Sequence, residues 1–258
     1  MHNNGPQVDN QISQHAAAEP AKTAADPAAV TLPNTLFGID VSHYNGTINW
    51  PLVLAAGVKF VYLKATESAT IVDKTFATNR KAVKKIGLPC GAYHFFRPKM
   101  SVASQVDNFC KTVGRLQAGD LPPVLDIEVP EQWQGISQPA RISMIVQWLT
   151  AVEKRLGVQP IVYIGNDMAA ELAHDPALKK YVLWLAYYTE GAIAKVPAPW
   201  TTWTIWQYGE SGQVKGVPGK CDVDRFAGGA SDLDKLLVKS SQLPLTHRVL
   251  NWFSNILG

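Results

Sequence analysis

The stretch Pro122-Pro123-Val124-Leu125-Asp126-Ile127-Glu128 leads an apolar run directly into two carboxylates that stand two positions apart. In a β-strand, residues i and i+2 point to the same side, so Asp126 and Glu128 face together and Ile127 faces away. The two prolines are incompatible with a helix through this segment. Such an acidic pair is costly to bury unless it is paired, hydrogen-bonded or used in chemistry. Taken alone, the stretch fits a structural strand end as well as a catalytic pair.

Composition and length describe a compact protein with a large core. The chain has 258 residues, of which 47% are hydrophobic and 17% charged. A net charge of +3 does not indicate a nucleic-acid binder. No apolar run approaches the ~20 residues of a membrane span. The three cysteines (Cys90, Cys110 and Cys221) give no disulfide framework, and no CxxC or histidine pair stands at metal-ligand spacing, so we predict neither metal nor cofactor.

The two ends of the chain differ in composition from its centre. Residues 1–33 are polar and rich in Ala, Pro, Gln and Asn, and they lack the basic segment and apolar core of a signal peptide, so we predict a disordered leader. We assign residues 34–240 to one catalytic barrel and residues 241–258 to a C-terminal tail. Within the tail, Thr246–Leu257 has the pattern of an amphipathic helix. It could dock on the barrel, which we favour, or contact a partner or a membrane surface.

Strand and helix patterns alternate from Leu36 onward. Strand patterns are found at residues 36–42, 59–66, 90–96, 122–128, 160–164, 181–186, 203–208 and 222–226, and helical patterns at 49–57, 75–86, 101–116, 137–156, 168–173 and 231–240. Alternation of this kind predicts an α/β fold with a parallel sheet and crossover helices. Because the last strands have no helices between them, we predict an irregular β/α barrel of about eight strands rather than an open doubly wound sheet.

In such a barrel the chemistry lies at the carboxyl ends of the strands. Asp40, Asp126, Glu128 and Asp222 all fall near predicted strand ends. Carboxylates that converge on one mouth repel one another and raise each other's pKa values, which is hard to explain as structure. The convergence therefore favours an acid–base site over a structural role for the pair in the opening stretch.

Five segments in register resemble glycoside hydrolase family 25, the Chalaropsis-type lysozymes. They are Gly38-Ile39-Asp40-Val41-Ser42-His43-Tyr44-Asn45-Gly46 with Trp50, Phe60-Val61-Tyr62-Leu63-Lys64-Ala65-Thr66-Glu67-Ser68, Gly91-Ala92-Tyr93-His94-Phe95, Leu125-Asp126-Ile127-Glu128, and Trp203-Thr204-Ile205-Trp206-Gln207-Tyr208 with Gly216-Val217-Pro218-Gly219 and Asp222. The resemblance covers roughly residues 37–228. It implies an irregular β/α barrel and cleavage of the β-1,4 bond between N-acetylmuramic acid and N-acetylglucosamine in peptidoglycan.

The resemblance also implies roles for individual acids. Glu128 matches the family's proton donor, Asp126 its paired aspartate, and Asp40 and Asp222 its other two site aspartates. Here the closing run is Cys221-Asp222-Val223-Asp224, so Asp224, two positions on, is an alternative to Asp222. The chemistry agrees: one acid protonates the leaving oxygen, and a carboxylate stabilises positive charge at the anomeric carbon or orients the acetamido group. We expect repulsion from the three aspartates to keep Glu128 protonated. Spacing alone allows a retaining or an inverting outcome.

Several other residues are candidates for contact with the sugar. Strand aromatics are usually core, but those on the face of the acids could stack on sugar rings, and Tyr93 is preferred because Gly91 and Ala92 leave room beside it. The full set of substrate-binding candidates is Tyr93, Tyr62, Phe95, Lys64, Glu67 and Trp206. Lys64 and Glu67 could instead form a salt bridge at the rim. His43 and His94 are expected to be structural, and Trp133 could cover the glycan or anchor its loop.

The sequence thus predicts a peptidoglycan hydrolase that acts as a monomer outside the cytoplasm or after delivery to the cell wall. Its expected partner is the peptidoglycan glycan strand and not nucleic acid. The rival hypothesis is a glycan-binding or partner-binding barrel without catalysis. The presence of both Asp126 and Glu128 speaks against that rival.

Overall fold

The structure is a computed structural model that describes residues 34–172, 175–189 and 194–244. The predicted leader and the predicted tail helix lie outside the described residues. Residues 241–244 are described, and Leu243 is buried against the barrel core.

Nine strands within the described residues form one sheet. They are β1 (Thr35–Val41), β2 (Phe60–Glu67), β3 (Ile71–Val72), β4 (Cys90–Phe95), β5 (Val124–Ile127), β6 (Ile161–Gly165), β7 (Leu183–Ala186), β8 (Ile205–Gly212) and β9 (Cys221–Ala227). The sheet closes because β1 pairs with both β2 and β9. Eight strands therefore form a barrel, and the two-residue β3, which the sequence did not predict, pairs with the end of β2.

Helices cross over between most of the parallel strands. They are α1 (Trp50–Ala55), α2 (Phe76–Lys85), α3 (Val102–Val113), α4 (Gln138–Leu156), α5 (Asn166–Leu172) and α6 (Ala230–Leu236). Asn49 begins α1 by accepting a hydrogen bond from the backbone of Leu52, and Pro51 occupies its first turn. Among the described residues, no α-helix separates β7, β8 and β9. The prediction of an irregular barrel whose last strands lack intervening helices is confirmed.

One strand runs against the others at the point of closure. β9 is antiparallel to both β8 and β1, whereas β1, β2 and β4 to β8 are parallel to one another. As a result Asp222 reaches the mouth from the amino end of its strand and not from a carboxyl end, as the sequence had suggested. The register places it directly opposite Asp40 of β1.

Two buried layers follow from alternation along the strands. Inside the barrel lies a cluster of large side chains that includes Phe60, Tyr62, Val124, Ile161, Trp184, Ile205 and Phe226. Between the barrel and the helices lies a second cluster that includes Leu125, Ile127, Phe109, Trp148 and Leu149. The opening stretch thus behaves as expected: Val124 points inward, Leu125 and Ile127 point to the helices, and Glu128 follows directly after β5.

Gly91 lets the barrel interior close. A Cβ atom at this position would lie 2.2 Å from the ring of Tyr62 and 2.9 Å from Leu121. The room that the sequence places beside Tyr93 is therefore filled by the ring of Tyr62, which is fully buried. Cys90, Cys110 and Cys221 are unpaired and buried. Among the helices of the described residues, none combines the length and the apolar character that crossing a bilayer requires.

Candidate active site

A cavity of about 250 Å³ opens at the mouth of the barrel, at the carboxyl ends of the parallel strands. All four predicted catalytic acids line it: Asp40, Asp126, Glu128 and Asp222. Asp224 lies deeper, is fully buried, and accepts a hydrogen bond of 2.9 Å from the indole N–H of Trp184. Of the two aspartates that the sequence left open, Asp222 is therefore the one on the cavity wall.

The pairing of neighbouring strands sets the positions of the acids. Asp126 of β5 stands between Phe95 of β4 and Tyr163 of β6 in the sheet register. Glu128 lies close enough to Asp126 and Tyr163 for hydrogen bonding. Asp40 and Asp222 lie on the opposite wall of the mouth, where β1 meets β9.

Burial dominates the electrostatics of this cluster. It is the main cause of raised pKa values at Asp126 and Glu128, whose carboxyl groups also lie within hydrogen-bonding reach of each other. A hydrogen bond between two carboxyl groups requires that one of them is protonated, because two carboxylates have no proton to donate. Burial, then repulsion from Asp222, also raises the pKa of Asp40 well above its usual range. Burial, then Glu128 and Glu210, raises the pKa of Asp222 to about 7. The expectation that repulsion from Asp40, Asp126 and Asp222 raises the pKa of Glu128 is therefore wrong, because burial raises it and the hydrogen bond with Asp126 lowers it.

Two cations at the rim of the cavity, Lys64 and Arg97, oppose the effect of burial on the pKa of Glu128. Lys64 donates to Glu67 at 2.7 Å, and Arg97 donates to the other oxygen of Glu67 through its Nε at 2.9 Å. Both cations also lie over the ring of Phe95, at 4.8 and 4.4 Å from its centroid. Their positive charge lowers the pKa of Glu128 against the larger effect of burial. The salt bridge predicted between Lys64 and Glu67 is present, and Lys64 lines the cavity as well.

The six candidate substrate contacts divide into two groups. Tyr93, Phe95 and Lys64 line the cavity. Tyr62 lies below it, with its ring 4.7 Å from that of Trp184, and Glu67 is held at the rim by its two cations. Trp206 faces the outer layer, where its indole N–H donates to the backbone carbonyl of Tyr187 at 2.7 Å. The structure therefore does not bring Tyr62, Glu67 or Trp206 to the cavity wall.

Other residues of the cavity were not singled out from the sequence. They are Ser42, Tyr44, Val124, Tyr163, Trp184, Tyr188, Gln207 and Glu210. Tyr163 could have been found by alternation along β6, because Ile161 and Tyr163 both point into the barrel. Gln207 lies between Trp206 and Tyr208, and the sequence pattern favours aromatic residues over an amide as sugar contacts.

The two histidines are structural, as expected. His43 Nδ1 lies 2.8 Å from Asp73. His94 is hydrogen-bonded to Thr66 at 2.7 Å and to Gln105 at 3.1 Å, and burial lowers its pKa to about 4. Trp133 is fully buried and stacks on Phe96, so it anchors its loop and does not cover the cavity.

The arrangement can do acid–base chemistry on a ligand bound at the barrel mouth. It combines a carboxyl pair with raised pKa values, further acids on the facing wall, and aromatic rings beside them. Within the part of the chain that the structure describes, no group of His, Cys, Asp and Glu side chains is arranged to hold a metal ion.

Comparison with known proteins identifies the family. The family model described as Glycosyl hydrolases family 25 matches residues 39–217. Lysozyme M1 of Streptomyces globisporus is 33% identical over 243 residues, which cover 88% of this chain and 78% of that protein. N,O-diacetylmuramidase of Chalaropsis sp is 27% identical over 205 residues, 73% of this chain and 96% of the relative.

Solved structures agree with the sequence comparison. The bacterial lysozyme from Streptomyces coelicolor superimposes with a TM-score of 0.74 at 34% identity, over 78% of this chain and 96% of that one. The barrel, the acids at its mouth and these matches agree with one another. The chain belongs to glycosyl hydrolase family 25 and is a glycoside hydrolase of the lysozyme type.

Proposed function

We propose that this protein cleaves the β-1,4 bond between N-acetylmuramic acid and N-acetylglucosamine in peptidoglycan, with Glu128 as the proton donor. The names of the relatives, lysozyme and N,O-diacetylmuramidase, support the choice of bond and substrate. The observation that carries the proposal is the Asp126–Glu128 pair, whose carboxyl groups lie within hydrogen-bonding reach of each other on the wall of the cavity at the barrel mouth.

Glu128 suits the acid role because burial raises its pKa. A general acid must hold its proton at the working pH, and an apolar, partly closed site achieves this for a carboxyl group. When the glycosidic oxygen leaves, Glu128 gives up its proton to that oxygen. The positive Lys64 and Arg97 then favour the carboxylate that remains.

Asp126 suits a role beside the acid rather than opposite it. The two carboxyl groups lie within hydrogen-bonding reach of each other on one side of the mouth, with Asp126 in β5 and Glu128 directly after it, so we infer that the substrate lies beside the pair and not between its members. In the usual retaining and inverting arrangements, the substrate lies between two separated carboxylates. We therefore assign Asp126 to the substrate's acetamido group, which it would orient for attack on the anomeric carbon with overall retention.

The facing wall supplies further contacts. Asp40 and Asp222 stand opposite the pair and are placed to bind sugar hydroxyls or the water that completes hydrolysis. Tyr93 and Phe95 offer rings beside the acids, and Lys64 offers a donor. We assign the site of action to the cell wall, where the glycan strand is the binding partner.

Release of reducing sugar from purified peptidoglycan tests this proposal. Glu128→Gln should lower the rate by three or more orders of magnitude while circular dichroism stays unchanged, since it removes the acid at almost the same size. Glu131→Gln is the matched control, because the same substitution three residues away falls outside the cavity. Mass spectrometry should find fragments that end in reducing N-acetylmuramic acid. Fragments that end in reducing N-acetylglucosamine, or a wild-type protein that binds glycan without cutting it, would contradict the proposal.

A further inference from the structure

Tyr44 is a large aromatic residue that stands exposed on the wall of the cavity. It lies three residues after the end of β1, and it lines the cavity together with Asp40 and Ser42. Its exposed fraction of 78% is the highest among the large hydrophobic residues in the described part of the chain. Single exposed apolar residues are common on protein surfaces, so exposure alone does not indicate a function. The position of the ring and its support are the informative observations.

The backbone that carries Tyr44 is held in place by hydrogen bonds. Residues His43–Asn45 form a single 3-10 turn that begins at Ser42. The Ser42 hydroxyl accepts from the backbone N–H of Tyr44 at 3.3 Å, and the Asn45 side chain accepts from the backbone N–H of Ser42 at 2.9 Å. The amide of Asn45 also donates to the backbone carbonyl of Lys220 at 3.0 Å, which ties the turn to the segment before β9. The turn therefore needs little ordering when a ligand binds.

The ring of Tyr44 packs on an anchored neighbour, His43. The two ring centroids are 4.0 Å apart, with an angle of 35° between the ring planes. The backbone nitrogen and Nδ1 of His43 lie 2.9 and 2.8 Å from one carboxylate oxygen of Asp73, whose side chain is buried. The other oxygen of Asp73 accepts from the backbone and hydroxyl of Thr75. Tyr44 is thus supported on one side while most of its surface remains open to solvent.

The cavity is too small to enclose a polymer. Its volume of about 250 Å³ lies below the roughly 300–1,000 Å³ of pockets that enclose a small ligand. A glycan strand bound at the acids must therefore continue past the cavity walls. Tyr44 follows β1 on the wall that faces Asp126 and Glu128, where the cavity opens to solvent. A strand that leaves the cavity on this side meets the ring of Tyr44.

We propose that Tyr44 is a specificity-determining residue that stacks on a sugar ring of the glycan strand, beyond the two sugars that flank the cleaved bond. One face of a pyranose ring presents C–H groups that pack on an aromatic ring, while the hydroxyl groups at its edge remain hydrated. A rigid, exposed tyrosine beside the cavity suits such a contact, because it offers a large area at a small cost in side-chain entropy. The proposal rests on the function proposed above, from which it takes the glycan strand as the ligand.

A binding experiment tests the contact without hydrolysis. The Glu128→Gln protein serves as the background, so that the ligand is not cut, and the probe is long glycan strands that an amidase has freed of their peptides. Tyr44→Ala should raise the Kd measured by calorimetry about tenfold, as truncation of an aromatic anchor does. Tyr44→Phe keeps the ring and should bind like the background. Leu54→Ala is the matched control, because it truncates an exposed apolar side chain that does not line the cavity.

Kinetics locate the contact along the strand. Because Tyr44 binds away from the reacting sugar, Tyr44→Ala in the otherwise wild-type protein should raise the KM for long strands about tenfold and leave kcat unchanged. A fall in kcat as large as the fall in kcat/KM would place the ring at the reacting sugars and overturn the proposal. Circular dichroism should show the same fold for every variant, since the side chain is exposed.

The peptides of peptidoglycan are a second possible contact, and strands that retain them separate the two. Stacking on sugar predicts the same loss of affinity with and without the peptides, whereas a loss confined to peptide-bearing strands overturns the proposal. An unchanged Kd in Tyr44→Ala, an equal loss in Tyr44→Phe or in Leu54→Ala, or no binding of strands by the background protein overturns it as well. If the wild-type protein binds strands without cutting them, the proposed function fails and the binding result for Tyr44 still stands.

Discussion

The indole N–H of Trp133 donates a hydrogen bond of 3.1 Å to the backbone carbonyl of Glu128. Between them, Val129 has a φ of 58°, a conformation that β-branched residues rarely adopt. The ring of Trp133 stacks on Phe96 and is fully buried. The loop thus fixes the backbone on which the acid stands, at some cost in backbone strain.

Trp133→Phe should therefore harm activity more than stability alone explains. The substitution keeps an aromatic ring but removes the donor to Glu128. We expect kcat to fall by about tenfold to a hundredfold, since small displacements of a reacting group are costly. We also expect the free energy of unfolding to fall by about 1–3 kcal/mol. Initial rates below the melting temperature, with a thermal melt of each protein, check both. A variant with normal kcat and a lowered melting temperature would show that the bond is only structural.

Lys64→Met should move the alkaline limb of the kcat/KM profile to higher pH. Lys64 lowers the pKa values of Asp126 and Glu128, so its removal raises them and lets the acid keep its proton to higher pH. Glu67 loses a partner as well, and the variant is best compared with Lys64→Met/Glu67→Gln. Lys84→Met is the matched control, because Lys84 pairs with Asp120 outside the cavity. A limb that moves to lower pH would contradict the assignment.

Asp222→Asn should stabilise the protein at neutral pH and not in acid. The folded state raises the pKa of Asp222 from 3.8 to about 7, so the folded protein binds a proton that the unfolded chain has released. Its contribution to stability is full below about pH 4 and is lost as pH rises toward 7. The variant should therefore melt a few degrees higher than wild type at pH 7.5 and similarly at pH 4, with reduced activity. Equal melting-temperature differences at the two pH values would refute the linkage.

Gly91→Ala should destabilise the barrel without touching the acids. The new methyl group would overlap the ring of Tyr62, which is fixed among Trp184 and its neighbours. We expect a loss of about 1–3 kcal/mol in the free energy of unfolding. Urea unfolding measures it, and Gly165→Ala is the matched control, because Gly165 is also a strand glycine without a positive φ and nothing lies within 4 Å of the new atom. A loss in Gly91→Ala no larger than that in Gly165→Ala would show that the interior yields.

The contact between Asp126 and Glu128 predicts the stereochemistry of the product. Because the two carboxyl groups lie within hydrogen-bonding reach of each other and not on opposite sides of the substrate, we expect attack by the substrate's own acetamido group, which gives the β-anomer first. Proton NMR of the anomeric region in the first minutes of reaction distinguishes this from the α-anomer. Initial release of the α-anomer would instead assign Asp222 as a base that activates water from the facing wall.

Alternation along strands predicted much of this site. It placed Asp126, Glu128 and Val124 on one face and Leu125 and Ile127 on the other, and the barrel followed from the strand order. The same rule fails at β2, where the pairing with β4 shifts between Lys64 and Thr66. Thr66 consequently bonds His94 in the outer layer, whereas Lys64 points to the cavity. A local irregularity of this kind depends on the neighbouring strand and leaves no mark in the sequence of β2.

The sequence of β8 does not determine which of its residues point into the barrel, for a related reason. Trp206 and Gln207 are adjacent, so the phase of β8 decides which of them enters the barrel. That phase is set by pairing with β7 and the antiparallel β9, both of which are distant in sequence. Aromatic content favoured Trp206, yet the inward position belongs to Gln207.

The pairing of the first strand with the last has a consequence for how the nascent chain folds on the ribosome. Asp40 meets its donor Gln207 across 167 residues of sequence, and Asp222 is still further along the chain. Contacts of such sequence separation form late, because the loop between them must close first. A nascent chain that has emerged only as far as β7 already carries Asp40, Asp126 and Glu128 but lacks Gln207 and Asp222, so its facing wall is incomplete. Hydrolytic competence should therefore arrive in one step, when the final strand is released and seals the barrel.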